Sequence, residues 1–306
     1  MWGRTLMEIN IQTFLIVCPL VFLGGFVDAV AGGGGLITVP AYMIAGLPAH
    51  ASIATNKLSA SMGTTLSTYK LAKAGNIPWK KAVICIIAAV FGGSLGAKLA
   101  LLVSADLFRI IMLVIIPLTA VYIMRTKSMD SKEDDKDDKS GKTGKNTDAA
   151  EAQIEPEADN EPKRSLNSYP NAIATTSVQG RDESDQTKYI ILAGIIAFVI
   201  GIYDGFYGPG TGTFLILLLS GLAHFKLGEA NGTAKAINLT TNISSLVVYL
   251  MNGKVMILLG LVAGVFGILG NYIGVNLFME KGAKIVKPLM ITVMVIFFIR
   301  IISEIL

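Results

Sequence analysis

Apolar residues along the chain gather into ten segments, 11–31, 36–49, 57–72, 82–105, 107–124, 189–207, 213–223, 236–251, 255–279 and 288–302. A helix needs roughly 20 apolar residues to cross a bilayer. Several segments reach that length, but 36–49 and 213–223 fall short. Each short segment follows a glycine-rich break, the pattern of half-helices, which membranes tolerate only where they are buried in protein or line a cavity. The pattern predicts an all-α polytopic membrane protein with about eight to ten membrane segments, half-helices included. Arg4 and Ala29-Val30-Ala31 imitate a cleavable signal. The apolar run between them reaches spanning length, so the expectation is a retained helix.

The pattern also divides the chain. A first membrane half covers 1–124, a charged linker 125–188 and a second membrane half 189–306. From Asp130 to Glu161 the linker holds almost no aliphatic residues. It cannot bury enough apolar surface to offset the entropy of ordering, so it is expected to be disordered.

The halves share landmarks in the same order. Gly25-Phe26-Val27-Asp28 answers to Gly201-Ile202-Tyr203-Asp204, with glycines at equal distances beyond each acid. Thr55-Asn56-Lys57 answers to Thr233-Ala234-Lys235, and Gly75-Asn76-Ile77 to Gly253-Lys254-Val255. Gly92, Gly93 and Gly96 answer to a run that includes Gly267, Gly270 and Gly274. Such spacing predicts two homologous repeats, an organisation typical of transporters. Lys70, Lys73, Lys80 and Lys81, then Lys281, Lys284 and Lys287, and Arg125 with Lys127 at the linker edge all fall on one side. That places both termini opposite and makes the repeats inverted.

Composition sharpens this picture. Mean hydropathy is +0.59, and only 16% of the 306 residues are charged. The linker alone holds 15 of the 22 acids and 11 of the 26 bases. No basic cluster sits beside aromatic stacking residues, so no nucleic-acid partner is expected. Cys18 and Cys85 lie inside apolar runs and read as small core side chains. His50 and His224 are single histidines beside turns, so no metal site is expected. No Gly-x-Ser-x-Gly and no Gly-Lys-Ser/Thr follows the glycine runs, so neither a hydrolase, a nucleotide loop nor a cofactor is expected.

The candidate chemistry lies in the glycine runs. Gly32, Gly33, Gly34 and Gly35 precede one short helix; Gly208, Pro209, Gly210 and Thr211 precede the other. Helix starts carry unsatisfied N–H groups and partial positive charge, so two converging starts can hold an anion without a charged side chain. Glycine for close helix packing is the alternative. Asp28 and Asp204 sit at the ends of apolar runs, where a carboxylate faces a cavity or a partner. They either cap the turns or couple transport to protons. Lys57 and Lys235, at matched positions, balance an anion, pair with an Asp, or snorkel to headgroups. Thr38, Asn56 and Thr233 complete the candidate substrate-binding set, and Thr55, Asn238, Thr241 and Asn242 are further lining candidates. One half is expected to rock against the other around this site. The alternative is a passive anion channel of the same architecture, although no ring of like charges suggests a filter.

The stretch from Val30 to Pro40, followed by Ala54-Thr55-Asn56-Lys57-Leu58, resembles the sulfite exporter TauE/SafE family of membrane transporters. So does Tyr203-Asp204-Gly205-Phe206-Tyr207-Gly208-Pro209-Gly210-Thr211-Gly212. The resemblance covers the whole chain except the linker, which is longer and more charged than is usual for the family. It implies a multi-pass permease of the plasma membrane. The implied solutes are sulfite, sulfonates and other small organosulfur or organic anions.

Overall fold

The computed structural model describes residues 10–104 and 183–281. The expected segments 107–124 and 288–302, nearly all of the linker, and Arg125, Lys127, Lys284 and Lys287 lie outside the described residues. Every described element is an α-helix.

Among the described residues four helices precede the linker: α1 (Ile11–Ala31), α2 (Gly35–Ile44), α3 (Ala49–Lys73) and α4 (Trp79–Leu102). Four follow it: α5 (Glu183–Phe206), α6 (Thr211–Gly221), α7 (Leu227–Met251) and α8 (Ile257–Lys281). Helix α5 begins ahead of Tyr189, inside the stretch expected to be linker. With 10 and 11 residues, α2 and α6 reach only about 15–16 Å, half of a hydrocarbon core of about 30 Å.

The remaining helices sort by polarity. Four carry an apolar stretch long enough to cross a membrane: α1, α4, α5 over Thr187–Phe206, and α8 over Ile257–Glu280. Leu15, Phe91, Ile195 and Leu258 leave their surfaces exposed, as lipid-facing helices require. Helices α3 and α7 are equally long, with 25 residues each, but their buried faces are polar. Their hydroxyls bond carbonyls of the preceding turn: Ser59 Oγ donates to Asn56 O at 3.1 Å, Ser67 Oγ to Thr64 O at 3.1 Å, and Thr241 Oγ1 to Ile237 O at 3.1 Å. The helices also start earlier than the apolar pattern. The pattern begins these segments at 57 and 236, whereas the helices begin at Ala49 and Leu227. Their first two turns are polar, and protein rather than lipid surrounds them.

Packing crosses the linker. Helix α8 lies against α1, where a side chain at Gly270 or Gly274 would strike the carbonyl oxygens of Phe22 and Phe26. Helix α4 lies against α5 in the same manner: Gly92 faces Phe198 O and Gly96 faces Ile202 O. Each helix pair needs glycine for its backbones to approach this closely. The last described helix of either half thus packs on the first helix of the other.

Candidate functional site

The two glycine turns meet. Helix α1 ends on Gly32 at φ 76, whose N–H bonds Asp28 O at 2.9 Å. After α5 the chain turns through Gly208 at φ 96 and Gly210 at φ 84. Only glycine takes these left-handed conformations without strain. A Cβ on Gly32 would lie 2.6 Å from Gly212 Cα, and one on Gly35 would lie 3.0 Å from Pro209 Cα. Thr213 Oγ1 donates to Ala31 O at 2.8 Å and ties α6 to the first turn. The starts of α2 and α6 therefore converge; Leu36, Ile37 and Thr211 turn their N–H groups back onto the carbonyls of Gly33, Gly34 and Gly208, and the other leading N–H groups have no carbonyl four residues back.

Two ion pairs cross between the halves beside these turns. Lys57 Nζ on α3 donates to Asp204 Oδ2 at 2.8 Å and to Asn242 Oδ1 at 3.0 Å. Thr211 Oγ1 lies 2.8 Å from Asp204 Oδ1 and within reach of Gly208 O as well. Lys235 Nζ on α7 donates to Asp28 Oδ2 at 2.9 Å and also bonds the Asp28 carbonyl oxygen. Both lysines are fully buried. The side chain of Asp204 is 5% exposed and that of Asp28 19%. A buried ammonium survives at membrane depth only with such a partner.

A cavity of about 50 Å³ lies against the turns. One water needs about 10–15 Å³ of such space, so the chamber holds on the order of four waters or a solute of similar size. Of the residues marked by the sequence, Gly32, Gly34, Gly35, Thr38, Asn56 and Lys57 line it on one side. Asp28, Asp204, Gly208 and Thr211 line it too, with Asn238 and Asn242. Seven marked residues do not line it, Thr55 and Thr241 among them. Gly33 is buried in ordinary contact, its nearest neighbours 3.9 Å from where a Cβ would stand. Pro209 backs Gly35, and its carbonyl accepts from Tyr203 Oη at 2.6 Å. Gly210 caps α6. Lys235 stands behind Asp28. Thr233 is fully buried with its hydroxyl unpartnered. At the matched position Thr55 Oγ1 accepts from Met256 N at 3.1 Å. Thr233 would need the corresponding N–H from residue 78, which is proline and has none.

Other lining residues carried weaker signals. Ser59 and Thr64 extend the polar face of α3, and Asn271 is an amide inside the apolar run of α8. Its Nδ2 donates to Gly267 O at 3.0 Å, and its Oδ1 is buried without a partner. Asn56 Oδ1 and Asn238 Oδ1 are likewise buried and unpartnered. Buried amides are normally satisfied, so three unmet groups around one chamber mark a place for a polar guest.

The chamber is one-sided. It extends between α1, α3 and α8 along Val21, Gly25, Ser59 and Asn271. The matched positions on α5, α7 and α4 are Ala197, Gly201, Ile237 and Gly93. Ala197 and Ile237 belong to an apolar cluster with Ala89, and Ile200 packs against it. Serine and asparagine face one space, while alanine and isoleucine fill its counterpart.

His50 Nε2 lies 3.0 Å from Ala100 O, and His224 meets the edge of the Tyr189 ring at 4.8 Å. Cys18 and Cys85 are buried thiols. None of these four residues lines the chamber.

Comparison with known proteins places this geometry. A "Probable membrane transporter protein" of Sinorhizobium sp is 30% identical over 96% of this chain and 94% of its own length. One of Haemophilus influenzae is 25% identical over 93% and 92%, and one of Escherichia coli 28% identical over 89% and 82%. No solved structure matches the chain. The family model described as "Sulfite exporter TauE/SafE" matches residues 17–301. The chain belongs to the sulfite exporter TauE/SafE family and is a multi-pass transporter of the cell membrane.

Proposed function

We propose that the solute is a small anion, namely sulfite, a sulfonate or a related organosulfur or organic anion, and that the chain is a carrier rather than an enzyme. One observation carries this reading. Two helix starts, rich in glycine, converge on a chamber whose charged side chains cancel in pairs. What remains to meet a solute is backbone N–H groups, hydroxyls and amides. These favour a negative guest without binding it so tightly that release fails. The volume supports a solute the size of a sulfite group.

The equal order of helix lengths, turns and crossed pairs supports two repeats of common ancestry. We read them as inverted, with the first half moving against the second. The anion approaches along α1, α3 and α8 and reaches the turns, where the N–H groups of the converging helix starts meet it.

Radiolabelled sulfite and methanesulfonate flux into vesicles holding the purified chain tests the reading. The expected result is saturable exchange of one or both, and accumulation against a gradient when an ion gradient is imposed. Flux that never exceeds equilibration makes the protein a channel. Absence of flux and of binding for both probes overturns the anion reading.

A further inference from the structure

The two crossed ion pairs are built differently, and the difference assigns them different work. Asp204 is held on both oxygens: Oδ2 takes the Lys57 ammonium at 2.8 Å and Oδ1 faces the Thr211 hydroxyl at 2.8 Å. Lys57 is held in turn by Asn242. The matched residues in the other pair are Gly35, which has no hydroxyl, and Thr64, which does not reach Lys235. Lys235 turns instead to the Asp28 backbone carbonyl. Asp28 Oδ1 is left with no hydrogen-bond partner among the described residues. Its side chain is 19% exposed against 5% for Asp204, and it borders the chamber on the side that extends between α1, α3 and α8.

We propose that Asp28 takes up one proton with each anion that enters the chamber, so that Asp28–Lys235 is the coupling pair while Asp204–Lys57 stays ionised as a fixed strut. The inference rests on the chamber being an anion site. The charged side chains lining it are Lys57 from α3, Asp204 from α5 and Asp28 from α1, with Lys235 from α7 behind Asp28 and bonded to it; α2, α6 and α8 contribute only uncharged groups to its lining. Empty, the chamber is neutral. A monovalent anion makes it negative by one unit in a low-dielectric surrounding, which is costly. A proton on Asp28 Oδ1 removes that excess. The Lys235 ammonium then faces the anion through a neutral carboxyl group, and the loaded chamber is neutral again. Asp204 is the more firmly held acid: Lys57, fixed by Asn242, binds Oδ2, the Thr211 hydroxyl stands 2.8 Å from Oδ1, and the side chain is only 5% exposed.

The sign follows. While Asp28 is ionised in the empty protein, anion affinity rises as pH falls, by up to about tenfold per unit for one linked proton. By reciprocity, anion binding draws about one proton from solution. An inward proton gradient therefore drives anion inward, and net movement of a monovalent anion is electrically silent.

The test is calorimetric titration of the full chain in detergent with methanesulfonate, whose charge does not change over the range used. Two buffers of different ionisation heat are compared. The wild type is expected to take up about one proton per anion bound. Asp28→Asn is expected to take up none and to bind with an affinity independent of pH. Because that variant leaves Lys235 without its counter-charge, Asp28→Asn with Lys235→Gln is the second arm. It removes both charges and is expected to fold, to bind methanesulfonate more weakly than the wild type, and to show no proton uptake. Binding by the wild type without proton uptake overturns the proposal and leaves the anion site standing, and proton uptake retained by the double variant overturns it too. Failure of the wild type to bind either methanesulfonate or sulfite overturns the anion site itself.

Discussion

One methyl group at Gly32 should part the two turns, while one at Gly33 should do almost nothing. Gly32 sits at φ 76, and an L-residue there is strained by about 1–2 kcal/mol. Its Cβ would also stand 2.6 Å from Gly212 Cα and 2.7 Å from Thr213 N. Carbon contacts are comfortable from about 3.5 Å, so the turns must separate by about 1 Å. Both obstructing atoms are backbone, and no side chain can swing aside. A site of this kind needs its groups held to about 0.5 Å, so the displacement exceeds the tolerance roughly twofold. Gly33 has no positive φ, and its nearest neighbours would be 3.9 Å from a Cβ. Gly32→Ala is therefore expected to lower sulfite exchange in vesicles by at least about tenfold and to cost about 1–3 kcal/mol in detergent unfolding. Gly33→Ala should stay within about twofold of wild type in flux, since ordinary van der Waals contact carries little penalty. Wild-type flux in Gly32→Ala, or equal damage from both substitutions, would refute the claim that contact between the turns forms the site.

Lys57→Met leaves Asp204 buried without its cation, and should destabilise the protein by about 3–5 kcal/mol in thermal or denaturant unfolding. Adding Asp204→Asn removes the stranded charge and should restore most of that loss. Thr211→Val takes the hydroxyl from Asp204 Oδ1 and is expected to cost about 1.5–3 kcal/mol by the same measurement, as for a hydrogen bond to a charged group. Asn56→Leu exchanges a buried amide with an unpartnered oxygen for an apolar side chain of similar size; stability should hold or rise while anion flux falls, and a fall in both would mean that Asn56 serves the fold instead.

Much of this fold is written in the apolar pattern, and the reason is the bilayer. Lipid-facing helices must be apolar over a fixed length, so α1, α4, α5 and α8 stand out. The inner helices do not, because their solvent is protein. The polar first turns of α3 and α7 look like loop, and only their burial within protein shows why they can be helix. The site was legible as residue types at matched spacing: glycine turns, acids and lysines recur in order. Spacing alone could not tell Gly33 from Gly34, since only the path of the turn decides which faces the chamber. It could not reveal that each lysine pairs with the acid of the opposite half, because that depends on how the halves interleave. Asn271 was legible in principle, as an amide in an otherwise apolar run, but nothing in that run says which way it faces.

The positions where the halves differ carry as much meaning as those where they agree. Shared residues build what both halves need: glycines for the helix crossings, a lysine and an acid for each crossed pair. If every matched position were identical, the arrangement would produce two equal chambers or none. The replacements decide otherwise. Ser59 against Ile237 and Asn271 against Gly93 put the polar lining between α1, α3 and α8. Thr211 against Gly35 gives Asp204 Oδ1 a hydroxyl, and Asn242 against Thr64 fixes the Lys57 that holds Oδ2, whereas Asp28 has a partner on one oxygen. Two unrelated sets of substitutions thus fall on the same side, one opening space and the other freeing a carboxylate to face it. Under the coupling proposed above both belong in one place, beside the carboxylate that keeps an open oxygen.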